Sequence, residues 1–197
     1  MTVAGVRLCA FGESTVNGTG DPDHLGWVGR AVAGRREVTL YNLGIRRETS
    51  EDLAARWRGE AELRRSDQEP LRLLFSFGCN DCMPDPARGI RVPPDAAEAA
   101  AGRILGEAVS LAPTLMVGPP PIADAEARER VRSLNRRLAA AAGRAEVPFI
   151  DVFAALEASP AWMTEILEWD GVHPGAAGYA AYAAAVVSDP AWGRFLP

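Results

Sequence analysis

The chain has 197 residues, with 21 arginine and lysine residues against 26 aspartate and glutamate residues and a formal net charge of −5. Its length and its 48% hydrophobic content are those of a globular protein with one hydrophobic core. The acidic balance and the lack of a basic block argue against a partner bound through bulk charge, such as nucleic acid or an anionic membrane. Every cationic side chain is an arginine, which excludes a Schiff-base lysine and the lysine of a phosphate-binding loop.

Histidine and cysteine are too scarce for the common metal sites and disulfide frameworks. The two histidines, His24 and His173, cannot form a three-histidine zinc site, and we predict no metal or other cofactor. His24 lies in a polar turn beside two carboxylates, and we interpret it as an exposed loop residue rather than a metal ligand. The cysteines are Cys9, Cys79 and Cys82. The last two form a Cys-X-X-Cys pair, interpreted as passive thiols, with a redox or metal-binding role as the alternative.

The N-terminal segment leads directly into a strand-like stretch. It has no basic start followed by a long apolar run, which is the pattern of a signal peptide. No window approaches the roughly 18 consecutive apolar residues that a membrane-spanning helix needs. These features predict a soluble, cytoplasmic protein.

Short apolar runs alternate with longer helical patterns along the whole chain. Strands are predicted at residues 6–11, 38–43, 71–77, 114–117 and 147–152. Helices are predicted at residues 27–33, 50–65, 95–112, 124–144 and 176–187. This alternation is typical of an α/β fold with a mainly parallel sheet, here as a single domain over residues 1–197.

Candidate site residues follow several of these strands, at the edge where parallel sheets bind ligands. Ser14 follows the first strand, Gly44 the second and Asn80 the third, and a terminal loop carries Asp170 and His173. A serine hydroxyl becomes a nucleophile when a base takes its proton, and imidazole suits that role at neutral pH. A carboxylate three residues before the histidine, in a tight turn, can hold the imidazole in one tautomer. The pattern therefore predicts acyl transfer.

An acyl-transfer site also needs donors for the negative charge that develops on the carbonyl oxygen. The candidates are the backbone N–H groups of Ser14 and Gly44 and the side-chain amide of Asn80. Each of these residues also has an ordinary structural interpretation, as a turn or cap residue. Glu168 is the alternative to Asp170 as the acid, although its spacing of five to the histidine fits the turn less well.

In this order, the blocks at Ser14, Gly44, Asn80 and Asp170/His173 resemble those of the SGNH, or GDSL-type, hydrolase superfamily. The resemblance covers the whole chain. It implies a flavodoxin-like three-layer α/β/α sandwich with a five-stranded parallel sheet, and hydrolysis of esters or thioesters without a metal. One departure is that the usual Gly-Asp-Ser is Gly-Glu-Ser here, with Glu13 beside the serine. We expect this acid to support the site rather than to react.

The sequence thus predicts a serine esterase or thioesterase that acts on a small-molecule substrate with a small or medium acyl group. The alternatives are a carbohydrate O-deacetylase or acyltransferase using the same site, and a catalytically silent flavodoxin-like binding module. Asp81 is interpreted as a structural residue. Two features stay open. Residues 83–94 are either a substrate lid or a solvated loop. The apolar stretch from Trp162 to Trp169 is interpreted as core, with an aromatic lining an acyl pocket as the alternative.

Overall fold

The computed structural model describes residues 5–196. The first four residues, on which the expected lack of a signal peptide partly rests, lie outside that range. Within it, the strands are β1 (Val6–Gly12), β2 (Val38–Gly44), β3 (Leu71–Ser76), β4 (Pro84–Asp85), β5 (Gly89–Ile90), β6 (Thr114–Val117) and β7 (Phe149–Ile150). The helices are α1 (Ser14–Asn17), α2 (Gly26–Ala31), α3 (Ser50–Glu62), α4 (Pro94–Ala108), α5 (Ala125–Arg144), α6 (Phe153–Glu157), α7 (Pro160–Glu168), α8 (Ala176–Val187) and α9 (Pro190–Phe195).

The central sheet has five parallel strands in the order β2-β1-β3-β6-β7, with helices on both faces. Successive side chains of a strand point to opposite faces, so neighbouring residues of β1 enter different cores. Phe11 packs with Trp57 of α3 in the core that also contains α4 and α5. Ala10 packs in the core that contains Trp27 of α2, together with α7, α8 and α9. The predicted three-layer α/β/α arrangement is confirmed.

The last strand, β7, is much shorter than the predicted range 147–152, because the first two residues of that range form other backbone hydrogen bonds. The N–H of Val147 donates to the carbonyl of Ala142 in α5 at 2.9 Å, so it caps the C-terminal end of that helix rather than pairing in the sheet. Pro148 has no N–H and contributes only its carbonyl, which accepts from the N–H of Met116 at 3.0 Å. Regular pairing is therefore limited to Phe149–Ile150.

Four short helices, α1, α6, α7 and α9, were not predicted. α7 and α9 follow the start signals Ser159-Pro160 and Asp189-Pro190, in which the first residue caps the helix with its side chain and the proline occupies the first turn. These two helices could have been found from the sequence. α1 and α6 have four and five residues, too few to show a helical repeat.

Residues 83–94, predicted as either a lid or a solvated loop, contain a small antiparallel hairpin of β4 and β5. The base of this hairpin is tied to the rest of the fold. The N–H of Val92 donates to the carbonyl of Asp81 at 3.1 Å, and the Arg130 guanidinium of α5 donates to the carbonyl of Cys82 at 3.1 Å. In the described conformation this segment is therefore a mostly exposed hairpin that is anchored at its base.

No helix within residues 5–196 combines the length and the apolar character that crossing a bilayer requires.

Candidate active site

Three strands end at the same level and bring the residues that follow them together. Gly12 of β1 pairs with Gly44 of β2 on one side and with Ser76 of β3 on the other. A Cβ atom on Gly12 would lie 2.0 Å from the carbonyl oxygen of Ser76, and one on Gly44 would lie 2.3 Å from the backbone nitrogen of Asn17. Both glycines therefore allow close backbone approach, and α1 begins at Ser14 directly above this edge.

The structure brings Ser14 and His173 into contact although 159 residues separate them. The Ser14 hydroxyl Oγ lies 2.7 Å from His173 Nε2, and His173 Nδ1 lies 2.7 Å from Asp170 Oδ2. With Nδ1–H donating to the carboxylate, Nε2 carries the lone pair that accepts the serine proton. The serine and histidine side chains are both almost completely buried.

The turn that carries the histidine also fixes its acid. Asp170 Oδ1 accepts hydrogen bonds from the N–H groups of Val172, at 3.0 Å, and His173, at 2.9 Å. Partial burial acts to raise the pKa of Asp170, but these bonds and the bond from the imidazole outweigh it, so that its pKa lies below the usual value. Glu168, the alternative acid, is an exposed residue at the end of α7 and does not hold the ring.

Glu13 connects the nucleophile strand to the segment after β3. Its buried carboxylate accepts from the N–H groups of Cys79 and Asn80, each at 2.9 Å, and from the side-chain amide Nδ2 of Asn80. Burial raises the pKa of Glu13 to about 7; the nearby charge of Asp81 acts in the same direction, and the bonds from Asn80 and Cys79 oppose it. Glu13, which replaces the aspartate of the usual Gly-Asp-Ser, thus binds the side-chain amide of Asn80, the predicted oxyanion donor.

Two of the three predicted oxyanion donors retain an N–H group without a partner inside the site, among the residues that the structure describes. The N–H of Ser14 lies in the first turn of α1, where helical N–H groups have no intrahelical acceptor. The Asn80 amide has two N–H groups and donates one of them to Glu13, which leaves the other for a ligand.

The third predicted donor, the N–H of Gly44, is not free in this structure, contrary to the sequence prediction. It donates to Asn42 Oδ1 at 3.1 Å. The next N–H along the strand, that of Ile45, donates to the carbonyl of Gly12 in β1 at 2.9 Å. Because successive N–H groups of a strand point to opposite edges, that of Gly44 points away from β1. Gly44 contributes to the site by lacking a side chain.

Residues 10–181 match the model of the GDSL-like lipase/acylhydrolase family. The chain belongs to this family. It is therefore a hydrolase of the lipase and acylhydrolase class, and the resemblance inferred from its sequence blocks is confirmed. No curated protein is similar enough in sequence to count as a match.

Solved structures share the fold of this GDSL-like hydrolase over nearly its whole length. LAE5, an alpha/beta hydrolase enzyme from the metagenome of Lake Arreo, Spain, is 22% identical, with a TM-score of 0.76 and coverage of 99% of this chain and 98% of that one. A lipolytic protein of the G-D-S-L family from Veillonella parvula DSM 2008 is 19% identical, with a TM-score of 0.75 and coverage of 92% and 96%. Axe2, an acetylxylan esterase from Geobacillus stearothermophilus, is 22% identical, with a TM-score of 0.71 and coverage of 92% and 93%.

The remaining polar residues near the GDSL-like site have structural contacts. Asp81 is fully buried, and its Oδ1 accepts from the N–H of Ser50 at 2.8 Å, which holds the start of α3. The thiols of Cys79 and Cys82 are free and buried. Burial raises the pKa of Cys82 to about 12 and that of Cys79 well above its usual value, so both thiols are protonated at neutral pH.

His24 is exposed in the loop before α2 and has a left-handed backbone with φ of 55°. Across residues 5–196, no three side chains of histidine, cysteine, aspartate or glutamate are grouped so as to hold a metal ion.

The two ends of the apolar stretch from Trp162 to Trp169 behave differently. Trp162 is fully buried, and its indole N–H donates to the carbonyl of Pro121 at 2.9 Å. Trp169 is 56% exposed, and its ring centroid lies 5.7 Å from that of His173. Its ring packs against Gly20, where a Cβ atom would lie 2.3 Å from the indole Cζ3. Trp169 therefore forms part of the rim of the site, which the apolar pattern alone did not distinguish from core.

Proposed function

We propose that this GDSL-like hydrolase cleaves carboxylic ester or thioester bonds of substrates with small or medium acyl groups through an acyl-enzyme on Ser14. The proposal rests on the continuous hydrogen-bonded series from Ser14 Oγ through His173 to Asp170, with 2.7 Å at each link. A serine whose proton can pass to a held imidazole is an activated nucleophile.

In this mechanism, Ser14 Oγ attacks the substrate carbonyl carbon while its proton passes to His173 Nε2. The negative charge that develops on the carbonyl oxygen is stabilised by the Ser14 N–H and by the free N–H of the Asn80 amide. Collapse of the tetrahedral intermediate expels the alcohol or thiol, which takes the proton from His173. Water, deprotonated by the same imidazole, then attacks the acyl-enzyme and releases the acid. Asp170 keeps the histidine tautomer and stabilises the imidazolium.

The proposed acyl-enzyme predicts stoichiometric labelling by a fluorophosphonate probe. The purified protein should take up one probe per chain on Ser14, because the reagent phosphylates a serine activated by a base. The same preparation should hydrolyse p-nitrophenyl esters of graded chain length, with the highest kcat/KM in the short to medium range. Intact-mass analysis, peptide mapping and rate measurements check these outcomes. Absence of both labelling and turnover would instead favour the catalytically silent binding module.

Carbohydrate O-deacetylation is a second candidate, favoured by the exposed indole of Trp169 beside His173. A flat aromatic face can stack on the C–H face of a sugar ring. Gly20, which the indole contacts, also lines an open cavity of about 660 Å³ whose lining includes Thr19, His24 and Arg46. These side chains can form hydrogen bonds with sugar hydroxyl groups. The acetylxylan esterase activity named for the Geobacillus stearothermophilus structure agrees with this candidate.

Replacement of Trp169 by alanine separates the two candidates. On acetylated xylo-oligosaccharides, kcat/KM is expected to fall about 10-fold, because a stacking contact is worth up to about 1.5 kcal/mol. On p-nitrophenyl acetate it should change less than about threefold. Leu167→Ala is the matched control, since Leu167 is also an exposed apolar side chain at the end of α7. An equal loss on both substrates, or none on the sugar, would argue against a sugar platform.

The cytoplasmic location expected from the sequence is part of the same proposal. It is supported by three free buried cysteines, a state that a reducing compartment maintains.

A further inference from the structure

Glu13 is a buried carboxylic acid directly before the nucleophile in sequence, and the mechanism above gives it no chemical step. The side chain is 1% exposed and receives three hydrogen bonds, two from Asn80 and one from Cys79. One of these bonds comes from Nδ2, the amide nitrogen that also carries the proposed oxyanion donor. Glu13 therefore controls how that amide is oriented.

The charge state of Glu13 decides which way the Asn80 amide can face. The terminal torsion of an asparagine is soft, and its oxygen and nitrogen ends are nearly equal in size. An ionised carboxylate only accepts hydrogen bonds, so it binds Nδ2 and repels Oδ1. A protonated carboxyl group can also donate, so it tolerates a flipped amide that presents Oδ1 to Glu13 and turns both N–H groups away from their present positions.

We propose that Glu13 is the positioning residue for the Asn80 oxyanion donor and that it performs this role only as a carboxylate. The inference rests on the proposed reaction at Ser14. It adds an ionisation of Glu13 that switches the site on as the pH rises through neutrality and off as the pH falls, separately from the role of His173 as the base.

The surroundings of Glu13 place this ionisation near neutrality. The titratable groups that face its carboxylate are Asp81, Cys79 and Cys82 in the segment after β3 and Tyr182 from α8. Burial raises the pKa of each of the two thiols and of the Tyr182 phenol, so these three groups are uncharged, and Asp81 adds negative charge. Burial of Glu13 itself and the negative charge of Asp81 raise the pKa of Glu13 to about 7. The carboxylate is therefore lost as the pH falls through that value.

The test compares pH profiles of kcat for the wild-type chain and for Glu13→Gln with p-nitrophenyl acetate. On the acid side, the limiting slope of log kcat against pH should be steeper by one in the wild type than in Glu13→Gln, because the variant lacks the ionisation of Glu13. At pH 8 the variant should lose about 10²-fold in kcat, the size of one oxyanion donor, with KM changed less than about threefold. Asp81→Asn removes a different buried carboxylate, in the segment after β3, and should keep the wild-type slope.

A double-mutant cycle with Asn80→Ala tests whether Glu13 acts through Asn80. Glu13→Gln should cause no further loss of kcat in the Asn80→Ala background. Glu13→Asp keeps the carboxylate on a side chain one methylene shorter and should retain the steep acid limb with partial activity; it replaces Glu13→Gln if that variant does not fold. An unchanged slope in Glu13→Gln, or losses that add fully in the cycle, overturns the inference. A wild-type chain without esterase activity would instead overturn the proposed function.

Discussion

Ser14→Ala is expected to lower kcat for p-nitrophenyl acetate by about 10⁴- to 10⁶-fold, the largest effect of any single substitution in this chain. The variant lacks the atom that forms the acyl-enzyme, so the remaining rate comes only from binding and from the oxyanion donors. The fold should be preserved, because the hydroxyl has His173 as its partner and alanine fits the first turn of α1. Steady-state kinetics and the thermal unfolding midpoint check both statements.

Thr15→Val provides the matched control. Thr15 lies next to the nucleophile and is equally buried, and its hydroxyl has no hydrogen-bond partner in the described structure. Valine removes that hydroxyl and keeps the branched shape, so kcat should stay within a few-fold of the wild type. Residual turnover of several per cent in Ser14→Ala, with Thr15→Val unaffected, would mean that another group carries the reaction.

Asp170→Asn is expected to lower kcat by about 10³- to 10⁴-fold. The asparagine amide can face Nδ1 with a donor, which stabilises the histidine tautomer that carries its proton on Nε2, and that nitrogen then cannot accept the Ser14 proton. The substitution also removes the charge that stabilises the imidazolium. Binding should change little, so the loss should appear in kcat and only weakly in KM. Steady-state kinetics at pH 8 make this measurement.

Glu168→Gln is the control for this variant, because Glu168 was the alternative acid in the sequence. It is exposed and lies two residues before Asp170, so its replacement should leave kcat within about twofold. A greater loss of activity in Glu168→Gln than in Asp170→Asn would mean that Glu168, and not Asp170, is the acid that orients His173.

The main elements of the fold were predictable where the pattern was long or strongly apolar. The first four predicted strands agree with β1, β2, β3 and β6 to within one residue, and the five predicted helices correspond to α2, α3, α4, α5 and α8. Among the missed helices, α1 and α6 are too short to show a helical repeat, whereas α7 and α9 carry start signals in the sequence. The length of β7 was wrong because a helix end, through Val147, competes for the same backbone groups.

The sequence alone determined what is local. Asp170 and His173 lie three residues apart in one turn, so their pairing follows from short-range geometry, and the strand ends place Ser14 and Asn80 at one edge of a parallel sheet. The tertiary structure decided what depends on direction and burial across distant segments. It turned the Gly44 N–H towards Asn42, enclosed Glu13 against the segment after β3, and exposed Trp169 while burying Trp162. Composition and spacing do not encode these outcomes, because each depends on which side of a strand or helix faces a partner remote in the chain.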